Sequence, residues 1–146
     1  MIRVTQMMFF MMLLGLVIFA AVVYGLMAGN KSSELASSPI FLVIPAVMMV
    51  AGVAASWIIN QRMKTSITPQ MNLQSKLRHY QQRVLFRLVA IEIGVLSAGA
   101  FAMISKSPNL YLLMLVGMGI FTYFRPGSAE FLQDYPLSDE EKNNVA

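Results

Sequence analysis

The apolar run at residues 84–104 constrains this chain most, because it is long enough to cross a bilayer and carries two charged side chains. Arg87 lies near one end of the run and Glu92 lies close to its middle. An ionised carboxylate at that depth is costly, and the helical neighbours of Glu92 are all apolar. We therefore expect Glu92 to be protonated, hydrated or paired with another helix.

Three further apolar blocks can be placed relative to this run, so that the predicted spans are residues 7–27, 40–60, 84–104 and 110–124. Of the 146 residues, 57% are hydrophobic and only 12% are charged, and the mean hydropathy is +0.62. Four helices of roughly 20 residues with short connections use most of the chain. The sequence predicts an all-α membrane protein, a four-helix transmembrane bundle made of two helical hairpins, with a short acidic tail over residues 125–146.

Several boundaries of the predicted helices can be read from single residues. The first span exceeds the apolar core of a signal peptide, and Leu26 stands where a cleavage site needs a small residue, so we expect a retained helix. Pro45 predicts a kink in the second span. Thr68 as N-cap with Pro69 at the first helical position predicts that the third helix starts before the membrane. Unbroken, that helix would be about 50 Å long against roughly 30 Å of hydrocarbon.

The basic residues collect on one side of the predicted bundle, with only Lys31 and Lys106 on the other, so both termini are expected in the cytoplasm. The connection between the second and third spans carries Arg62, Lys64, Lys76, Arg78 and Arg83. These bases are expected to set the orientation, and they could also hold anionic lipid headgroups or the acidic tail. In that tail, Ser138 and Glu141 have capping-box spacing and predict a last short helix.

The other three spans each place a glycine at the depth of Glu92, namely Gly15, Gly52 and Gly117. Glycines at this level favour close helix packing, and the alternative is a cavity for water or a small ligand. One level nearer the cytoplasm lie Arg87, Ser56 and Thr122, which would line a polar path toward Glu92. Glu92 with Arg87 is therefore the candidate proton or ion site, although Arg87 is expected to extend toward the headgroups and Glu92 could equally be a structural acid or an oligomer contact.

The sequence shows no arrangement of residues that is typical of an enzyme. It has no cysteine and a single histidine, and it contains neither an HExxH motif nor a glycine-rich phosphate loop. We expect no enzymatic activity, no cofactor and no metal site. The thirteen methionines are not interleaved with other soft ligands, and the net charge of +4 comes from bases beside the spans, so neither a copper path nor nucleic-acid binding is expected.

The third and fourth spans and the tail carry a pattern made of Tyr80-Gln81, Arg87, Ala90-Ile91-Glu92, Arg125-Pro126 and residues 134–138. This pattern resembles a set of uncharacterised small bacterial four-span integral membrane proteins, which implies a multi-pass protein of the bacterial inner membrane and no particular activity. Residues 90–97 also resemble the small multidrug-resistance transporters, in which one membrane glutamate per protomer exchanges protons for cationic drugs. In that family the glutamate lies on the first helix, whereas Glu92 lies on the third.

Two functions follow from these observations. The first is a non-enzymatic structural or accessory subunit, in which Glu92 and the small residues determine helix packing or an oligomer. The second is a proton-coupled transporter or pore for small solutes, with Glu92 as the protonatable group. A single four-helix protomer has little room for a substrate path, so the second function needs an oligomer. The expected partners are the lipid bilayer and a homo-oligomer or larger membrane complex.

Overall fold

The computed structural model describes residues 2–28, 39–68, 71–135 and 137, which contain five helices and no strand. The helices are α1 (Ile2–Met27), α2 (Pro39–Thr65), α3 (Leu73–Ser105), α4 (Pro108–Tyr123) and α5 (Ser128–Asp134). The first three are each long and apolar enough to cross a membrane, and α4 meets the same test only together with α5, from which it is bent by 59°. The predicted all-α membrane fold is confirmed, with three apolar spans or four if the bent pair is counted as one.

The third helix is continuous over 33 residues, which corresponds to about 50 Å. Its N-cap is Asn72 and not Thr68, because the Asn72 side-chain oxygen accepts the backbone N–H of Ser75 at 2.9 Å. Pro69 lies outside the described residues. At its other end the helix stops at Lys106, which adopts a left-handed conformation with φ of 52°, and Pro108 then opens α4.

Sequence reasoning missed one helix and misjudged the length of others. The missed helix is α5, which follows α4 after a short connection. The predicted capping box at Ser138 and Glu141 lies outside the described residues. The second helix runs beyond its predicted span to Thr65 with Pro45 inside it, so that Arg62 and Lys64 belong to its last turn.

The central element of the bundle is α3, which contacts α1, α2 and α4. Its Gly94 lies against Met49 of α2, whereas its Gly99 lies against Phe19 of α1. Five residues of helix place these two glycines about 140° apart around α3, so α1 and α2 pack on different sides of it. The consecutive helices α1 and α2 therefore share few contacts within the described residues, and the pairing of the first predicted hairpin stays a prediction.

The seam between α2 and α3 is a contact between backbones. A Cβ atom at Gly52 would overlap the carbonyl oxygen of Ala90, and one at Gly94 would lie 2.9 Å from the Cα of Met49. Small residues let helix axes approach closely in a membrane, where packing rather than the hydrophobic effect drives association. These two contacts also determine the antiparallel register of α2 and α3.

Aromatic side chains attach α5 to the basic half of α3. Phe131 of α5 is fully buried, and its ring centroid lies 5.3 Å from that of Tyr80 and 4.8 Å from that of Tyr135. The Tyr80 hydroxyl donates to the carbonyl of Gly127, the N-cap residue of α5, at 3.1 Å. The seven-residue helix is therefore held by tertiary contacts, since so short a helix is not stable by itself.

Candidate functional site

Charged side chains meet where α5 folds back onto α3. Arg83 and Arg87 are four residues apart on α3, and Glu130 and Asp134 are four residues apart on α5. Residues at this spacing lie one turn apart on the same helix face, so the two pairs can meet in register. We refer to these four residues as the arginine–acid cluster, and to the end of the bundle that holds it as the basic end.

Short ion pairs join the two helices. Arg87 donates through Nη1 and Nη2 to the two oxygens of Glu130 at 2.6 and 3.2 Å, a bidentate pair. Arg83 donates through Nη2 to Asp134 at 2.8 Å and to Glu130 at 3.3 Å. Lys64, in the last turn of α2, lies 2.9 Å from the other oxygen of Asp134. The cluster thus links α2, α3 and α5 through charged groups.

Both arginines of the cluster are withdrawn from solvent. The Arg83 side chain is 0% exposed and that of Arg87 is 5% exposed, whereas Glu130 and Asp134 keep 26% and 13%. Removing a guanidinium from water costs several kcal/mol unless its charge is paired, so the carboxylates of α5 are needed to keep these side chains inside. Arg87 is held by Glu130 within the protein, and its predicted extension toward the headgroups stays a prediction.

Aromatic rings complete the surroundings of the two guanidinium groups. The Cζ atom of Arg83 lies 5.5 Å from the ring centroid of Tyr80 and 5.6 Å from that of Tyr135. The Cζ atom of Arg87 lies 5.4 Å from the ring centroid of Phe124. Such cation–π contacts add about 0.5–2 kcal/mol each, more where water is excluded. The cluster is therefore a packed structural joint as well as a set of ion pairs.

The ionisation of the α5 end follows from these contacts. Burial opposes ionisation of Asp134, but hydrogen bonds from Lys64 and Arg83 outweigh it and hold the pKa of that carboxyl below its usual value. Burial raises the pKa of the Tyr135 hydroxyl to about 12. At neutral pH Asp134 is an anion and Tyr135 is a neutral hydrogen-bond donor.

Tyr135 also begins a chain of hydrogen bonds to the connection between α2 and α3. Its hydroxyl lies 2.7 Å from Nδ1 of His79, and Nε2 of His79 lies 2.9 Å from the hydroxyl of Ser66. Because the Ser66 hydroxyl donates to a backbone carbonyl, its oxygen accepts from Nε2, so the proton of a neutral His79 is on Nε2 and Nδ1 accepts the Tyr135 hydroxyl. Ser66 in turn donates to the carbonyl of Met63 at 2.9 Å.

Glu92 lies on the side of α3 that faces α1. It follows Leu85 and Leu88 at helical spacing, and these two line the seam against Met8 and Met12 of α1. Its side chain is half-buried and makes no hydrogen bond or ion pair with the residues that the structure describes. The structure therefore separates the two members of the candidate proton site, since Arg87 on the other flank is bonded to Glu130.

The three glycines at the depth of Glu92 have different surroundings. A Cβ atom at Gly52 would overlap the Ala90 carbonyl, and one at Gly117 would overlap the thioether of Met49. At Gly15, by contrast, nothing lies within 4 Å of such a Cβ atom, and the residue is exposed. Protein atoms thus occupy the space at two of these glycines, and the third faces outward.

The remaining candidate residues divide between the cluster and the surface. Thr122 is exposed and donates to the carbonyl of Met118 in its own helix, whereas Ser56 is fully buried against α3. Among the five bases of the connection, Arg83 and Lys64 bind acids of the tail, Lys76 is buried, and Arg62 and Arg78 are exposed. One sequence pattern could have indicated the arginine–acid cluster: two bases, Arg83 and Arg87, have the same four-residue spacing as two acids, Glu130 and Asp134.

No family model matches the chain, and no curated protein or solved structure matches it either. The fold and the site define its class. It is an all-helical membrane protein in which a short acidic helix folds back onto buried arginines at one end of the bundle.

Proposed function

We propose that this protein is a non-enzymatic structural or accessory subunit of the bacterial inner membrane, with its basic end in the cytoplasm. The observation that carries the proposal is the packing at the depth of Glu92. Gly52 and Gly117 touch protein atoms there, so the seams of α3 with α2 and α4 leave no room for a solute path through one protomer. The orientation follows the distribution of basic residues.

An apolar surface groove supports the same function. A groove of about 520 Å³ between α2 and α4 is lined by apolar side chains, among them Val53, Trp57 and Phe124. Such a lining suits lipid chains or another helix, and the indole N–H of Trp57 is the one side-chain hydrogen-bond donor in it.

The hydrogen-bond chain at His79 also favours a protein without hydrolytic activity. A histidine that activates a serine must accept the serine proton. Here the Ser66 hydroxyl donates to the Met63 carbonyl and its oxygen accepts from Nε2 of His79, which is the reverse direction. Ser66 is therefore better explained as an anchor for the connection between α2 and α3.

A second function, proton-coupled transport by an oligomer, is favoured by one observation. The carboxyl group of Glu92 is half-buried beside α1 and without a partner among the described residues, and a second protomer could cover its exposed part. In that arrangement the path would lie between protomers and would not need space within one.

A comparison of Glu92→Gln with the wild type separates the two functions. Both are reconstituted in liposomes that contain a pH-sensitive dye, and both are analysed by native mass spectrometry from lipid nanodiscs. For a structural subunit, we expect proton flux equal to that of empty liposomes in both proteins and a changed oligomer distribution in Glu92→Gln. Ser97→Ala is the matched control, because Ser97 is polar, lies on the same helix and, among the described residues, bonds only to Gly94 of its own helix.

Two results would contradict the proposal. Proton flux well above that of empty liposomes, lost in Glu92→Gln and kept in Ser97→Ala, would establish the transporter. An unchanged oligomer distribution and unchanged stability in Glu92→Gln would show that the carboxyl group has no structural role.

A further inference from the structure

The seam between α2 and α3 continues from backbone contacts into a polar section at the basic end. On α2 the residues that face α3 follow one another at helical spacing: Met49, Gly52, Ser56 and Asn60. On α3 the corresponding series is Gly94, Ala90, Arg87 and Arg83. The contacts of Met49 with Gly94 and of Gly52 with Ala90 set the register of the two antiparallel helices. Continued toward the basic end, that register places Ser56 at the level of Arg87 and Asn60 at the level of Arg83.

Five buried polar atoms in this section form no hydrogen bond with the described residues. They are the Ser56 Oγ, the Asn60 Oδ1, the Arg83 Nε and Nη1, and the Arg87 Nε. Buried polar atoms are nearly always hydrogen-bonded, because an unpaired group loses the hydrogen bonds that water would give it. All five atoms belong to the two turns of the seam where Ser56 and Asn60 face the arginines. Their origin in adjacent turns of one seam favours one shared partner site over five separate defects.

The hydrogen-bonding character of these atoms selects the class of partner. The three guanidinium nitrogens can only donate, the Asn60 Oδ1 can only accept, and the Ser56 hydroxyl can do either. A partner must therefore both accept and donate, which a halide ion cannot do. Charge does not require an anion either, because each buried guanidinium is paired with a carboxylate of α5, and the third base of the group, Lys64, is 38% exposed and solvated. A small neutral molecule with both functions fits, and water is the simplest of that class.

We propose that the seam holds a buried hydration site, in which ordered water bridges Ser56 and Asn60 of α2 to Arg83 and Arg87 of α3. The site lies beneath α5, because the same two guanidinium groups carry the carboxylates of α5 on their other edges. Exchange of this water with bulk solvent therefore depends on α5, and release of α5 from the arginines opens the site. The hydration site is independent of the function proposed above.

The experiment is a water–arginine nuclear Overhauser measurement on the full chain, labelled with ¹⁵N-arginine and held in lipid nanodiscs. Each Nε–H resonance is assigned by a single arginine-to-lysine substitution. We expect the Nε–H of Arg83 and Arg87 to show water cross peaks of the sign that marks long-lived water. Arg62, which is exposed in the last turn of α2, is the internal control and should show only short-lived water.

Three variants and one control substitution test the assignment. Asn60→Leu should abolish the cross peak of Arg83, whereas Gln61→Leu, at an exposed neighbour on the same helix, should leave it unchanged. The Ser56 hydroxyl exchanges its proton with water and could produce the same cross peak. Ser56→Ala removes this hydroxyl, and the cross peak of Arg83 should still be present in that variant. Glu130→Gln should speed the exchange of the bound water, because it weakens the attachment of α5.

Three outcomes would overturn the proposal. The first is the absence of a water cross peak at both buried Nε–H groups of the wild type. This result is obtained on the wild-type protein and does not depend on the folding of any variant. The second is a cross peak that disappears with Ser56→Ala and persists with Asn60→Leu, since it would then come from the hydroxyl. The third is a saturable shift of these resonances when gluconate is replaced by chloride, which would identify an anion site in place of a hydration site.

Discussion

Removal of the Glu130 carboxylate should be the most damaging single change in the arginine–acid cluster. Glu130 is the bidentate partner of Arg87 and the second partner of Arg83. Without it, Arg87 keeps the Phe124 ring and, as its one hydrogen-bond acceptor among the described residues, the Phe124 carbonyl at 3.4 Å. Breaking a buried ion pair by removing one partner costs about 3–5 kcal/mol. Glu130 is 26% exposed, so water replaces part of the loss, and we expect Glu130→Ala to lower the free energy of unfolding by about 2–3 kcal/mol.

The corresponding change at Asp134 should cost less. In Asp134→Ala, Arg83 keeps its contact with Glu130 and the two tyrosine rings, and Lys64, which is 38% exposed, returns to water. We expect a loss of about 1 kcal/mol, as for a partly exposed pair. Glu130→Ala should be the more destabilising of the two variants, because it leaves Arg87 without a carboxylate, whereas Asp134→Ala leaves each arginine with one.

Equilibrium unfolding in mixed micelles, followed by circular dichroism, measures these differences. Gln133→Ala is the matched control, because Gln133 is exposed on the same short helix. Arg87→Met in the Glu130→Ala background should recover part of the loss, since it removes the unpaired buried charge. A loss in Asp134→Ala equal to or larger than that in Glu130→Ala would refute the reasoning, as would a comparable loss in Gln133→Ala.

Three further predictions use the same protein in lipid. Gly52→Ala should lower the free energy of unfolding by about 1–3 kcal/mol, because its Cβ atom would overlap a backbone carbonyl. Gly15→Ala is the control, since open space surrounds that residue, and it should leave the free energy unchanged. Equal unfolding free energies of the two variants would contradict the packing of α2 on α3. Phe131→Ala should increase hydrogen exchange in α5 and leave that of α4 unchanged, since the ring anchors only the short helix. Because the pKa of Asp134 is depressed, its contribution is fully present above the ordinary value of 3.8 and is lost as the pH falls through the lower folded value. The difference in exchange protection of α5 between the wild type and Asp134→Asn, which isolates the contribution of this carboxyl group, should therefore stay constant from pH 7 to about 4 and shrink below that.

The depth of residues along the membrane normal could be derived from the sequence, because helix rise converts residue number directly into height. In this way Gly52 and Gly117 were placed at the level of Glu92, and Ser56 at the level of Arg87. Height does not say which way a side chain points. Gly15 has the same calculated depth and faces outward, and Glu92 and Arg87 occupy different flanks of one helix.

The short helix α5 could not be predicted from local sequence. Its seven residues contain no strong start signal, and so short a helix forms only when other elements hold it. Those elements are the rings and charges of α3, more than forty residues earlier in the chain. The spacing of Glu130 and Asp134 matched that of Arg83 and Arg87, but only the fold brings the two pairs together.

The sequence by itself determined the number, approximate length and helical nature of the apolar segments. A lipid environment leaves the backbone no partner outside its own segment, so a long apolar run can only be a helix. The rotation of each helix about its axis, and with it the partner of every charged side chain, was decided by the tertiary structure. The reason is physical: these helices are apolar on nearly all sides, and in a lipid environment no solvent distinguishes an inner from an outer face. The rotation then depends on which small residues let two backbones touch, as Gly52 and Gly94 do on either side of the seam between α2 and α3.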